Sequence, residues 1–138
     1  GQDFMRNKEG VRNTYKRGDL NVLRYEDLNY YSELNLGVRQ MIKFRLSEDG
    51  VFLRPQKMGD CSYHVCEGFP EGTIGLEIED NRKHKSFLLV INFVSQNRTV
   101  LYPGKWLGSR CFLSEIQARS NAVFPPYSYA VFGLKEES

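Results

Sequence analysis

The chain has 138 residues, of which 41% are hydrophobic and 26% are charged, values typical of a globular domain that can bury one core without disulfide or metal support. This composition argues against wholesale disorder, and no apolar stretch approaches the roughly 20 residues of a membrane-spanning helix. We therefore expect a folded chain with no membrane span.

The net charge is only +2, but it is unevenly distributed. Residues 1–24 hold six Lys/Arg against three Asp/Glu, residues 25–82 hold six against eleven, and residues 83–138 hold seven against three. Basic ends around an acidic middle are compatible with a nucleic acid or another polyanion as a partner.

An odd number of cysteines favours reduced thiols in an intracellular protein, either cytoplasmic or nuclear, over a disulfide framework. The three are Cys61, Cys66 and Cys111. The glycosylation sequon at Asn97 and the Arg17-Gly18-Asp19 tripeptide keep an extracellular location open.

The N-terminal part of the chain shows little periodicity. Residues 1–19 are predicted to form a flexible arm, and residues 20–138 a single domain. Residues 20–25 are predicted to form a first strand. Asp27 is expected to cap a short helical turn that includes Leu28 and Tyr31.

Residues 38–46 alternate between apolar and basic side chains, which predicts an amphipathic strand. Its outer face would carry Arg39, Lys43 and Arg45. A turn at residues 47–50 and a return strand at residues 51–54 would complete an antiparallel hairpin.

Residues 61–66 and 74–79 read as two further strands, the second with a clear alternation of core and solvent positions. The run at residues 87–94 contains one polar residue in eight, so both of its faces need cover. A helix, the arm or another subunit would supply this cover. This run and residues 99–102 are predicted to form a second hairpin around residues 95–98.

Ser114 and Gln117 resemble a capping box, which predicts one short helix at residues 115–120, before a last strand at residues 127–134. Seven to eight short strands with Gly/Pro turns favour an all-β fold, an antiparallel β-sandwich of the jelly-roll, immunoglobulin-like or C2-like kind. A closed β-barrel is the alternative.

Residues with catalytic or metal-binding chemistry are few. On a strand, Cys61 points away from His64 and Cys66, so we predict no metal site and no cofactor. His64 and Cys66 stand too far apart for a nucleophile–base pair. Glu77 and Glu79 share a face, but alternating glutamates are common on solvated strands. A non-catalytic protein is therefore favoured over an enzyme.

The strongest binding candidate is the segment around the sole tryptophan, because aromatic residues interleaved with cations suit stacking on bases, sugars or peptides. Its residues are Arg98, Tyr102, Lys105, Trp106 and Arg110. The alternative to a binding role is that Trp106 closes one end of the core. The basic face of Arg39, Lys43 and Arg45 is a second candidate, for phosphate groups.

These observations favour an intracellular interaction module that binds a protein partner or self-associates. A polyanion or nucleic-acid binder that uses the basic ends and Trp106 is the first alternative. A carbohydrate-binding module is the second.

Overall fold

The structure is a computed structural model that describes residues 5, 9–11, 15–16, 18–21, 23–102, 104–114, 116 and 118–134. The chain divides into two compact units, Gly1–Lys43 and Phe44–Ser138. Much of the predicted arm at residues 1–19 lies outside the described residues, so its flexibility stays a prediction. Among the described residues, no helix combines the length and the apolar character needed to cross a membrane.

The first unit contains short helices. Helix α1 spans Gly18–Asn21 and helix α2 spans Asp27–Tyr30. The predicted strand at residues 20–25 is therefore wrong. The predicted helical turn is confirmed at Asp27–Tyr30, but Glu26 takes the N-cap position and no side chain caps the helix.

Helix α3, Ser32–Leu46, corrects the predicted strand at residues 38–46. Val38, Ile42 and Leu46 are four residues apart, a spacing that fits a helix as well as an alternating strand. The intervening glutamine, methionine, lysine and arginine residues favour a helix. The predicted return strand at residues 51–54 is also wrong, because Asp49–Leu53 forms a 3₁₀ helix.

The second unit is built mainly from antiparallel strands, with few helices. The strands are β1 Cys61–Val65, β2 Thr73–Asp80, β3 Lys85–Asn92, β4 Arg98–Leu101, β5 Arg110–Cys111, β6 Asn121–Phe124 and β7 Tyr129–Gly133. A five-stranded sheet has the order β1-β2-β3-β7-β5, and a two-stranded sheet joins β4 to β6. Neither of these sheets closes on itself.

Strand β3 lies at the centre of the larger sheet and is covered on both faces. On one face, Leu88 and Val90 are completely buried in a cluster with Val100 of β4 and Phe124 of β6. The smaller sheet thus supplies the cover that the sequence analysis assigned to a helix, the arm or another subunit.

Aromatic rings cover the opposite face of β3. Phe87 stacks on Phe52 of the 3₁₀ helix with ring centroids 4.0 Å apart. The ring centroid of Phe44 lies 6.1 Å from that of Phe52 and 5.3 Å from that of Phe112. The 3₁₀ helix that replaces the predicted return strand therefore closes this second core.

Two other predictions about the second unit are wrong. Strand β3 pairs with β2 and β7, so both of its edges are occupied, and β4 pairs with β6 instead of forming the predicted hairpin. In the predicted helix at residues 115–120, the described residues are not helical. The Ser114 hydroxyl accepts a hydrogen bond from the Ile116 amide at 3.1 Å, a local turn that competes with helix formation.

A buried ion pair ties the β2–β3 turn to the 3₁₀ helix at Asp49–Leu53. The Arg82 guanidinium donates to both oxygens of the fully buried Asp80, each at 3.0 Å, and to the carbonyl of Val51 at 2.9 Å. Burial alone would raise the pKa of Asp80, but the hydrogen bonds from Arg82 outweigh it and lower this pKa. Arg82 therefore stabilises the turn at one end of the five-stranded sheet.

Candidate functional site

The predicted binding segment around Trp106 packs into the core. Trp106 is completely buried, and its Nε1 donates to Glu77 Oε1 at 2.8 Å. Lys105 Nζ donates to Glu77 Oε2 at 2.7 Å and lies 5.6 Å from the centre of the indole ring. Trp106 thus has the burial expected of the alternative role in closing the core, and it presents no exposed ring on which a base or sugar can stack.

Glu77 is held as an ionised partner of these two residues. Burial by itself would raise the pKa of Glu77. The hydrogen bonds from Lys105 and Trp106 have the larger combined effect, so the net shift of this pKa is downward. Glu79, which shares its strand face, is exposed. A general acid needs a raised pKa, so the lowered pKa of Glu77 does not favour it as a general acid.

The other members of the predicted segment make separate local contacts. Arg98 Nε donates to the carbonyl of Glu71 at 2.9 Å, and the Arg110 guanidinium lies 4.9 Å from the ring centre of Phe112. Tyr102 is 7% exposed, and its hydroxyl has no hydrogen-bond partner among the described residues. The structure therefore brings Lys105 and Trp106 together at Glu77 and places Tyr102 in the same core cluster as Trp106, whereas Arg98 and Arg110 make their contacts elsewhere.

The second candidate set lies on α3 and not on a strand. Arg39 and Lys43 are four residues apart on one helix face, whereas Arg45 is about a third of a turn from Arg39 and nearly half a turn from Lys43. All three side chains are exposed. The predicted single basic face of three residues is wrong because the backbone is helical.

The three cysteines are free thiols. The pKa of Cys61 is raised, mainly by burial and secondly by the carboxylate of Asp80. The pKa of Cys66 is also raised, mainly by burial and secondly by the carboxylate of Glu77. A nucleophilic cysteine needs the opposite shift. Within the described ranges, no group of three or more His, Cys, Asp or Glu residues is placed to hold a metal ion.

Among the strands that the structure describes, β1 has the largest share of exposed residues. It lies at one edge of the five-stranded sheet, and four of its five residues are exposed. Tyr63 is 59% exposed and Val65 is 58% exposed. None of its residues carries a formal charge, although edge strands are usually protected by charges, prolines or bulges.

The hydrogen bonds to β2 determine which backbone groups of β1 face outward. Cys66 N donates to Gly75 O at 2.8 Å, and Asn81 N donates to Asp60 O at 2.9 Å. In an antiparallel pair these bonds recur at every second residue, so Ser62 and His64 bond to β2. The N–H and C=O groups of Tyr63 and Val65 therefore point to the open edge, where the described part of the chain places no further strand.

A groove of about 540 Å³ runs beside this edge. It lies between the loop that precedes β1 and the strand face that carries Cys61 and Tyr63. Pro55 and the fully exposed Met58 contribute to its lining. An added strand would thus find unpaired backbone groups and an apolar recess next to each other. We refer to β1 with this groove as the β1 edge.

The β1 edge was not predicted from the sequence, although the strand itself was. The uncharged sequence of β1 gave no local sign of an edge position, because edge strands usually carry protective charges. Neither the protein-family models nor the curated proteins that were searched match this chain.

Proposed function

We propose that this chain is a non-catalytic protein-interaction module of the β-sandwich type, which binds an extended segment of a protein along the β1 edge. The observation that carries this proposal is the uncharged, solvent-exposed edge strand, whose Tyr63 and Val65 direct backbone donors and acceptors outward. In strand addition, such main-chain groups provide affinity and adjacent pockets provide specificity.

The rest of the larger sheet supports β1 as a rigid template. Strand β1 pairs over its full length with β2, which in turn pairs with the central strand β3. The opposite edge of the sheet is β5, which has only two residues. Since a short edge strand offers few hydrogen bonds, β1 is the better acceptor for an added strand.

The proposal can be tested by selecting binders from a phage-displayed library of random peptides, with the complete chain as the target. We expect selected peptides to contain alternating apolar residues, because alternate side chains of an added strand face the groove. In the complex, the amide protons of Tyr63 and Val65 should exchange more slowly with solvent than in the free protein.

A proline substitution distinguishes the open edge from the paired side of β1. Val65→Pro removes an outward N–H and leaves the bonds to β2 intact, so peptide affinity should fall at least about tenfold. Val123→Lys, at a 57% exposed position of the smaller sheet, is the matched control and should bind normally. Equal binding by wild type and Val65→Pro, or no selectable peptide, would contradict the proposal.

A further inference from the structure

We infer that the segment received by the β1 edge is the β1 strand of a second copy of this chain, paired antiparallel about a two-fold axis at Tyr63. This inference rests on the proposed function and names its partner. It would join two five-stranded sheets into one continuous sheet. The two copies would use the same surface, as a two-fold interface requires.

The register follows from which residues face outward. Because strand residues alternate, Cys61, Tyr63 and Val65 all direct their main-chain groups toward the open edge. Placing Tyr63 opposite Tyr63 of the second copy sets Cys61 opposite Val65 at both ends. This register pairs every residue of β1 and allows about six backbone hydrogen bonds, two at each outward-facing pair.

The side chains fit this register. Opposed residues of paired strands lie on the same face, so Val65 of the second copy would stand beside Cys61, which lines the groove of about 540 Å³. Its isopropyl group would contact the apolar recess that includes Pro55 and Met58. The symmetric contact gives the exposed Val65 of each copy the same cover. The two Tyr63 rings would meet as a cross-strand aromatic pair.

Charges at the ends of β1 are complementary in the antiparallel arrangement. The loop before the strand carries the exposed Lys57, whereas Glu67 follows the strand and is also exposed. Antiparallel pairing brings the end of one copy that carries Glu67 next to the end of the other that carries Lys57. Within the strand there are no like charges to oppose each other.

A charge-swap experiment tests both self-association and the register. Tyr63→Lys places two lysines on the axis, and Tyr63→Glu places two glutamates there. Each variant alone should dimerise at least about tenfold more weakly than wild type, and an equimolar mixture should recover a dimer because lysine then faces glutamate. Sedimentation equilibrium on the full chain of 16.0 kDa measures the dissociation constants.

Controls separate this inference from the proposed function. Val123→Lys should dimerise like wild type, and Val65→Pro should be monomeric while retaining the circular dichroism spectrum of the folded chain. A wild type that stays monomeric at millimolar concentration would overturn the inference. So would a Tyr63→Lys and Tyr63→Glu mixture that associates no better than either variant alone. If library peptides still bind in a manner sensitive to Val65→Pro, the proposed function stands and only the second-copy partner is wrong.

Discussion

Replacing Trp106 by phenylalanine tests whether this side chain is part of the core or part of a ligand site. The indole is completely buried, and it donates to the Glu77 carboxylate at 2.8 Å. Losing a hydrogen bond to a charged acceptor costs about 1.5–3 kcal/mol. Because the Glu77 side chain remains 20% exposed and water can replace the donor, we take the lower end of this range.

The smaller phenyl ring also leaves part of the site unfilled, which adds about 1 kcal/mol. The total is a loss of about 2.5 kcal/mol in the free energy of unfolding, which corresponds to a fall in Tm of about 9 °C for a chain of this length. Urea unfolding followed by circular dichroism measures this loss without depending on tryptophan fluorescence. Leu107→Ala, at the neighbouring 47% exposed position, is the matched control and should change stability by less than about 1 kcal/mol.

Two results would refute this reasoning. One is an unfolding midpoint for Trp106→Phe equal to that of wild type. The other is a wild-type fluorescence spectrum that iodide quenches as fully as it quenches free tryptophan, since a buried indole is shielded from the ion. Either result would place Trp106 at the surface and restore the stacking site predicted from the sequence.

Three further predictions concern buried polar groups, and one concerns the polyanion alternative. The pKa of Glu77 is lowered in the folded state. The ionised carboxylate therefore stabilises the fold above the ordinary pKa of 4.5, and this contribution is lost as the pH falls through the folded-state pKa. Glu77→Gln should make the free energy of unfolding less dependent on pH below about 5. Asn92 is 1% exposed, and its side-chain amide donates to the carbonyls of Gln96, Phe124 and Pro125. The ionised carboxylate of Asn92→Asp cannot donate these hydrogen bonds, so this variant should lose about 3 kcal/mol in the free energy of unfolding at pH 7 and less at pH 4. Equal losses at the two pH values would contradict that account. The Tyr102 hydroxyl is buried and has no hydrogen-bond partner among the described residues. Tyr102→Phe should therefore leave the urea midpoint unchanged or raise it. A loss above about 1 kcal/mol in the free energy of unfolding would show that the hydroxyl does have a partner. If the basic residues bind polyanions, wild type should be retained on heparin in a salt-dependent manner and Arg39→Gln should elute earlier; elution of both in the void at low salt would reject polyanion binding.

The strands that sequence analysis located correctly are those with a strong local signal. Residues 74–79 alternate between core and solvent positions, and the structure places them in β2, Thr73–Asp80. The final strand was also found, as β7, Tyr129–Gly133. The error at residues 38–46 arose because apolar residues four apart satisfy both periods. Only packing decides between them, and Phe44 of this segment is buried against other aromatic rings.

Pairing partners were harder to predict than strands. The predicted hairpin between residues 87–94 and 99–102 assumed that neighbours in sequence pair in space. Strand β3 instead pairs with β2 and β7, which leaves no free edge for β4. The candidate site shows the same limit, because nothing in the local sequence of residues 61–65 indicates whether another strand covers them.

The sequence by itself determined that the second half of the chain forms short strands, and that residues 87–94 require cover on both faces. These properties follow from side-chain spacing, which acts locally along the chain. Only the tertiary structure decided that a second, two-stranded sheet supplies one cover, that Trp106 is buried, and that β1 is left at an open edge. The physical reason is that exposure depends on which distant segments pair and pack. The native pairing is the one in which the unit as a whole buries its apolar surface between packed layers.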